Sequence, residues 1–389
     1  MLEIKLALKN LLGSGLRTWL NVGVLSIAFV VIVFYKGMLD GWNEQARTDT
    51  INWETGSGEL WHPAFDPYDP LTLQDAHAAI KGKVKDLTEK GVLTPQLVTL
   101  ATIYPQGRMQ NVLLKGINPG QKILSIPSGL LKEEGDFIPA IIGKRMAESS
   151  GLKNSDRFLV RWRTKSGTFD ALEVKIIGIF SSNVPTVDNG QIWIPLKRLQ
   201  DMTGMQNEAT LFVASKTFSG ESIDNWNFKG LKYLLRDLDE AIAGKKGSSA
   251  ILYGLLLTIA LLAIFDTQVL SIFRRRKEIG TYIALGMTRL QVMRLFTIEG
   301  SAYSILALLA AAIYGIPFLA YMHFTGIPMP KAAGDMGISV SEKIIPLYSA
   351  GMVISTTLLV VISSTIVSFL PTRRISKMKP TDALRGKLQ

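Results

Sequence analysis

Few side chains in this sequence have the types and spacing that chemistry requires. The three histidines, His62, His77 and His323, show no metal-ligand spacing, and no cysteine is present to add a thiolate. His62 lies near Asp66 and Asp69, which together could hold a cation, although a solvated turn accounts for the same residues. No nucleophile signature of the G-x-S-x-G or H-E-x-x-H kind occurs. A phosphate-cradling G-x-x-x-x-G-K-[ST] loop is missing too, because Gly244-Lys245-Lys246 lacks both the earlier glycine and the hydroxyl residue. The sequence therefore assigns no catalytic residue, no metal and no cofactor of its own. Any ATP-driven work calls for a motor supplied by another polypeptide.

Two features remain. Asp266 is a carboxylate inside an apolar run, about 12 Å along a helix from Arg274. Intramembrane carboxylates are costly and face a bundle interior, a cavity or a partner. Asn21, Thr356 and Ser363 are possible neighbours, and hydration near the interface, or a protonated carboxyl, is the alternative. No second carboxylate lies deep in a span to continue a proton path. The other feature is Arg275, Arg276, Lys277, Glu278, Ile279 and Gly280, followed by Ile283, Ala284, Leu285 and Gly286. Cations alone would make this a topology-setting loop. Its apolar residues, with Leu290 and Met293, instead predict a short amphipathic helix with a docking face.

The elements that position these residues are membrane spans. Hydrophobic residues make up 47% of the 389. Four runs, Thr18–Met38, Ser248–Phe273, Thr297–Met322 and Ile344–Leu370, are long and apolar enough for a hydrocarbon core of ~30 Å. Cations gather in three segments: Lys5, Lys9 and Arg17; Arg274 to Lys277 with Arg289 and Arg294; and Arg373, Arg374, Lys377, Lys379, Arg385 and Lys387. By the positive-inside rule both termini and the 274–294 loop are cytosolic. The net charge of +11 thus reads as topology and lipid contact, with no nucleic-acid partner implied.

The predicted fold class is an α-helical membrane protein with four transmembrane helices and an α+β periplasmic domain between helices 1 and 2. Residues 1–39 hold an N-terminal amphipathic helix (Leu2–Leu16) and the first span, residues 40–247 the outer domain, and residues 248–389 the rest. In the outer domain, Leu97–Tyr104, Asn111–Ile117, Arg157–Arg163, Ala171–Phe180, Gln191–Pro195 and Ala209–Ala214 read as strands. Leu73–Glu89, Ala140–Ser150 and Asp224–Ala243 read as helices, and Lys165–Thr168 as a tight hairpin turn. Hydroxyl residues of the fourth span, among them Thr356, Ser363 and Ser364, predict close helix packing.

Several motifs carry a resemblance. They are Arg275–Gly280 with Ala284–Gly286, Glu299-Gly300, Pro371–Arg374 and Pro380–Arg385, and in the first part of the chain Lys36–Trp42, Lys115–Pro119, Ile142–Ala147, Ile177–Phe180 and Val187-Asp188. With them the chain resembles ABC transporter permeases of the cell-division, macrolide-exporter and lipoprotein-releasing kinds, nearest the last. The resemblance implies a bacterial inner-membrane subunit that hydrolyses nothing itself. Arg275–Gly286 would contain a coupling helix docked on a cytosolic ATPase, which binds the ATP and Mg. Two ATPases and a second permease, identical or homologous, would complete the complex. The first two spans would line a cavity for a lipoprotein or other amphiphile. The short Lys165–Thr168 turn stands where the carrier-recruiting subunit has a long hook. A signalling subunit controlling a cell-wall hydrolase, and a drug or peptide exporter, are the alternative functions.

Overall fold

The computed structural model describes residues 16–132, 137–328 and 343–377. The Leu2–Leu16 helix and the Pro380–Arg385 motif lie outside the described residues. The described chain divides into two compact units. One comprises residues 1–42, 242–327 and 344–389; the other comprises residues 43–241 and 328–343.

The first unit is helical. Its apolar runs form α1 (Leu16–Thr50), α5 (Arg236–Arg274), α7 (Arg289–Thr325) and α8 (Ala350–Thr372), each long and apolar enough to cross a membrane. The helices outrun the apolar stretches. α5 continues unbroken through Gly244 and Gly247, so the expected break between a helix ending at Ala243 and a span starting at Ser248 does not occur. Conversely, the fourth span starts at Ala350, six residues later than Ile344. The Ser349 hydroxyl caps it by accepting from the Met352 amide, after Pro346 has held the chain out of helix.

Val22, Leu25 and Ile32 of α1 pack with Leu257, Ala260 and Ile264 of α5, Ala302, Tyr303 and Ala307 of α7, and Val360 of α8. Polar side chains cross-link these helices. Asn21 Nδ2 donates to Thr267 Oγ1 at 2.6 Å, Lys36 Nζ to Thr356 Oγ1 at 3.2 Å, and Tyr314 Oη to Ser26 Oγ at 3.2 Å. Where no partner exists among hydrocarbon, each such bond keeps a polar group from being orphaned. Along α8 the buried Met352, Thr356, Val360, Ser364 and Ser368 recur at four-residue steps, a stripe in which small and hydroxyl residues allow close packing. The Lys36–Trp42 motif acts in the same way. A Cβ at Gly37 would lie 2.3 Å from the Tyr348 ring and one at Gly41 2.0 Å from the Ile345 carbonyl, so the segment before α8 passes directly over α1.

The second unit is α+β. Nine strands, β1 (Gly58–Trp61), β2 (Leu93–Ile103), β3 (Gln110–Ile117), β4 (Ile138–Gly143), β5 (Arg157–Arg163), β6 (Phe169–Phe180), β7 (Gln191–Pro195), β8 (Leu211–Ala214) and β9 (Asn227–Gly230), join in the order β9-β1-β8-β2-β3-β7-β4-β6-β5. β5 also pairs with the far end of β2, which closes six strands into a barrel. β5 shows why it folds so: Phe158, Val160 and Trp162 point inward while Arg157, Arg161 and Arg163 face water. The barrel interior holds these with Leu97, Leu114, Ile142, Ile176 and Ile194. The β5–β6 hairpin closes through Thr164–Thr168 with Gly167 at φ 87°, the tight turn expected there.

Three sequence expectations fail here. Leu73–Glu89 is not one helix but a 3-10 turn (Pro70–Gln74), a two-residue strand (Ala78–Ala79) and a short helix α2 (Lys83–Glu89), because Gly82 takes φ 62° between them. Ala140–Ser150 begins as β4 and only from Lys144 forms a helix, α3 (Lys144–Ser150), which ends at left-handed Gly151 as expected. Asp224–Ala243 opens with strand β9, and the helix starts only afterwards. A further helix, α4 (Leu196–Thr203), packs on the barrel.

Candidate functional site

The basic segment between α5 and α7 forms a nine-residue helix, α6 (Arg276–Ala284). It is set off from α5 by Arg275 at φ −97°, ψ 21°. Its end is a Schellman turn: the Gly286 amide bonds the Ile283 carbonyl, and the Met287 amide reaches the Tyr282 carbonyl at 3.0 Å. Gly286 supplies the positive φ of 98° that this turn demands. Two residues on, Thr288 and Gln291 form a reciprocal capping box that starts α7. The sequence Ala284-Leu285-Gly286-Met287-Thr288 thus specifies a helix stop followed by a helix start.

Arg275 fixes the other end. Its Nη1 donates to both oxygens of Glu299, at 2.9 and 2.8 Å, and its Nε to Glu278 Oε2 at 2.6 Å. The guanidinium carbon lies 4.7 Å from the Phe296 ring centroid. Glu299 is only 4% exposed, so the pair is buried and breaking it would strand a charge. Beside it, a Cβ on Gly300 would come 2.5 Å from Ser368 Oγ and 2.6 Å from Gln268 Nε2. Glycine there lets α5, α7 and α8 converge at the same level. Ile272, Ile279, Val292, Phe296 and Ile375 close a small core beneath α6, with Tyr282, Ile283 and Met293 at its edge.

These contacts divide the predicted docking set. Ile279 and Gly280 are buried against the chain itself, Ile283 is half-buried in that core, and Arg275 is spent on Glu299. Half-buried Arg276 stacks on Phe273 at 4.3 Å. Lys277, Glu278, Ala284, Leu285 and Gly286 remain exposed. Leu285 is 78% exposed and Leu290, which follows the turn, 55%, so the tip of the structure presents two leucines to its surroundings.

Asp266 does not meet the neighbours within the chain that the sequence offered for it. Its neighbours Thr267 and Gln268 face the bundle, and Asn21 bonds Thr267 while Thr356 bonds Lys36. One residue turns a helix by about 100°, which leaves Asp266 on the exposed face of α5 with no hydrogen bond or ion pair among the described residues.

The remaining sequence candidates resolve as structural. His77 pairs with Glu208, and His323 Nδ1 with the Pro346 carbonyl. His62 Nδ1 accepts from the Ala64 amide, and burial pushes the imidazole below its usual range. No group of three metal-ligating residues occurs among the described residues. His62 does line a cleft of about 370 Å³ with Trp61, Phe65, Tyr68, Lys229 and Tyr233.

The motifs quoted from the second unit also hold the fold. Buried Asp188 accepts from the amides of Lys144, Arg145 and Ser182 at 3.1–3.2 Å, and its Oδ2 lies 3.5 Å from Arg145 Nε. A Cβ at Gly143 would strike the Asp188 backbone at 2.2 Å, which couples the Ile142–Ala147 and Val187-Asp188 motifs. Nearby, Lys115 Nζ lies 5.0 Å over the Trp193 ring. Glu59 is buried and accepts from Trp61 Nε1; burial pushes its carboxyl up to about 7 against that bond and Lys115.

Residues 250–380 match the family model described as FtsX-like permease C-terminal. The chain is 23% identical over 422 residues to an uncharacterized ABC transporter permease, YknZ, of Bacillus subtilis (strain 168), covering 98% of both chains. It is 22% identical to the macrolide export ATP-binding/permease protein MacB of Pectobacterium atrosepticum, covering 98% of this chain and 60% of that longer one. It is also 22% identical to the lipoprotein-releasing system transmembrane protein LolC of Neisseria meningitidis serogroup B, covering 76% and 79%. A solved extracellular domain of the ABC-type transporter YknZ aligns with 44% of this chain at 16% identity and a TM-score of 0.27, a likeness that carries no argument about the fold.

Proposed function

From the premise that this membrane chain carries an FtsX-like permease domain and is homologous to ABC transporter permeases at low identity, we propose that it is the permease subunit of an ATP-driven transporter working by force transmission. The helix α6 is the part on which a separate ATPase, which binds the ATP and Mg, docks. The observation that carries this reading is the clamped helix with its exposed tip: Arg275 and Glu299 tie α6 to α7, while Leu285 and Leu290 stand out from it. A helix held that firmly passes a push on its tip into α5 and α7, the two-state displacement that coupling between distant sites requires.

In this reading the termini and α6 are cytosolic, the membrane is the bacterial inner membrane, and the α+β unit lies outside. Two ATPases and a second permease complete the assembly. The cargo is an amphiphile taken from the outer leaflet, a lipoprotein first, since extraction from lipid must offset about 0.8 kcal/mol per buried CH₂. Purification with co-expressed candidate ATPases, followed by mass spectrometry of what stays bound, tests it. Acylated peptides with an ATPase support the reading. An ATPase with a cell-wall hydrolase would replace it by the signalling function.

A further inference from the structure

The cleft of about 370 Å³ in the α+β unit is lined by Trp61 of β1, the segment 62–68 that follows it, Asn227 and Lys229 of the edge strand β9, and Tyr233. Strand register explains this lining. Glu59 pairs with Lys229 and Trp61 with Asn227, so these side chains leave the sheet on one face. Lys229 is the only Lys or Arg of the lining. Its Nζ lies 5.6 Å from the Trp61 ring centroid and 4.6 Å from that of Tyr233. The rings hold the ammonium in place without neutralising it.

Among the described residues no carboxylate forms an ion pair with Lys229. The acids at hand are committed elsewhere. Glu59 accepts from Trp61 Nε1, and burial pushes its carboxyl up to about 7, which thins the charge opposite Lys229. Asp66 Oδ1 accepts from the Tyr68 amide at 2.9 Å, and Asp237 Oδ2 accepts from the Tyr68 hydroxyl at 2.6 Å. The other polar groups of the lining add donors. His62 Nδ1 accepts from the Ala64 amide, so the neutral imidazole carries its proton on Nε2, and Asn227 brings an amide. Tyr68, 67% exposed, leaves its ring open at the surface. A volume of about 370 Å³ lies at the small end of ligand sites and suits one ring with a charged substituent.

An ammonium seated on two rings, with donors around it and its acids spent, repels cations and selects an anion. We propose that this cleft binds a small anion, a carboxylate or phosphate carried on a flat ring, with the charge on Lys229 and the ring against Tyr68. Such a site is independent of ATPase docking on α6, and its test uses neither an ATPase nor transport.

The full chain in dodecyl maltoside is titrated with para-fluorobenzoate, para-fluorophenyl phosphate and the neutral para-fluorobenzyl alcohol, and line broadening is read by fluorine NMR. Saturable binding of at least one anion, tighter than the alcohol, is expected, and the preferred anion says which head the site takes. Lys229→Gln should raise the dissociation constant at least roughly tenfold, while Lys229→Arg keeps it near the parent value. Tyr68→Ala should raise it by a smaller factor. Lys232→Gln, which removes an exposed cation outside the lining, should leave it unchanged. No saturable binding of either anion, equal binding of the alcohol, or an unchanged constant in Lys229→Gln or Tyr68→Ala would overturn the proposal.

Discussion

The same device appears in both units and serves opposite ends. In the α+β unit, buried Asp188 holds the start of α3 through two amides and Arg145, with Gly143 giving the close approach. In the helical unit, buried Glu299 holds Arg275 at the start of α6, with Gly300 giving the close approach. The helices so held differ in what they show. α3 turns Met146 and Ala147 into the barrel core, whereas α6 leads to a tip with Leu285 and Leu290 exposed. An acid–arginine–glycine lock is thus a fold-keeping element in one place and a mount for a presented surface in the other. The lock alone does not say which.

Breaking the two locks should cost the most. Glu299→Ala leaves the half-buried Arg275 guanidinium with Glu278 as its one carboxylate partner and is expected to destabilise the helical unit by about 2–3 kcal/mol, read as a lowered unfolding temperature of the full chain in detergent. Glu299→Gln, which keeps one acceptor, should cost less. Asp188→Ala leaves three amides without their acceptor and Arg145 unpaired. We expect a loss of about 3 kcal/mol, seen by limited proteolysis as earlier cleavage within residues 43–241 while the spans stay intact.

A smaller effect separates the units by pH. The Glu59 carboxyl sits at about 7 in the folded chain against 4.5 when free. Between those values the folded state holds a proton that the unfolded state has released, so stability falls as pH rises from 4.5 through 7. The penalty above pH 7 is at most on the order of 3 kcal/mol. Glu59→Gln should flatten the rise in unfolding temperature on acidification from pH 7.5 to 5. An unchanged slope would remove Glu59 as its cause.

Much of the helical unit was legible because its signals are local. Run length marks the spans, and cations next to a Gly-terminated apolar segment mark α6. The strand β5 was equally plain, since Phe158, Val160 and Trp162 alternate with arginines. β1 left no such trace: Gly58–Trp61 is buried on both faces and so does not alternate. β9 is four polar-leaning residues at the sheet edge, where pairing with β1 overrides weak strand propensity. In the candidate site, sequence reasoning named Arg275 and Ile279 as docking residues because charge and apolarity look alike whether they face outward or inward. Their partners, Glu299 and Ile375, lie 24 residues or more away and fix the direction only in three dimensions. For Asp266 the sequence left the direction open for a related reason, since the choice between it and Thr267 as the inward residue is a rotation of one position.

The docking role of the α6 tip is tested most directly by Leu285→Asp combined with Leu290→Asp. Both side chains are exposed, so the unfolding temperature of the permease should not change. Co-expressed ATPase should then fail to co-purify, and a drop of at least roughly tenfold in complex yield is expected. Full recovery of the complex from a variant of unchanged stability would contradict docking at this tip.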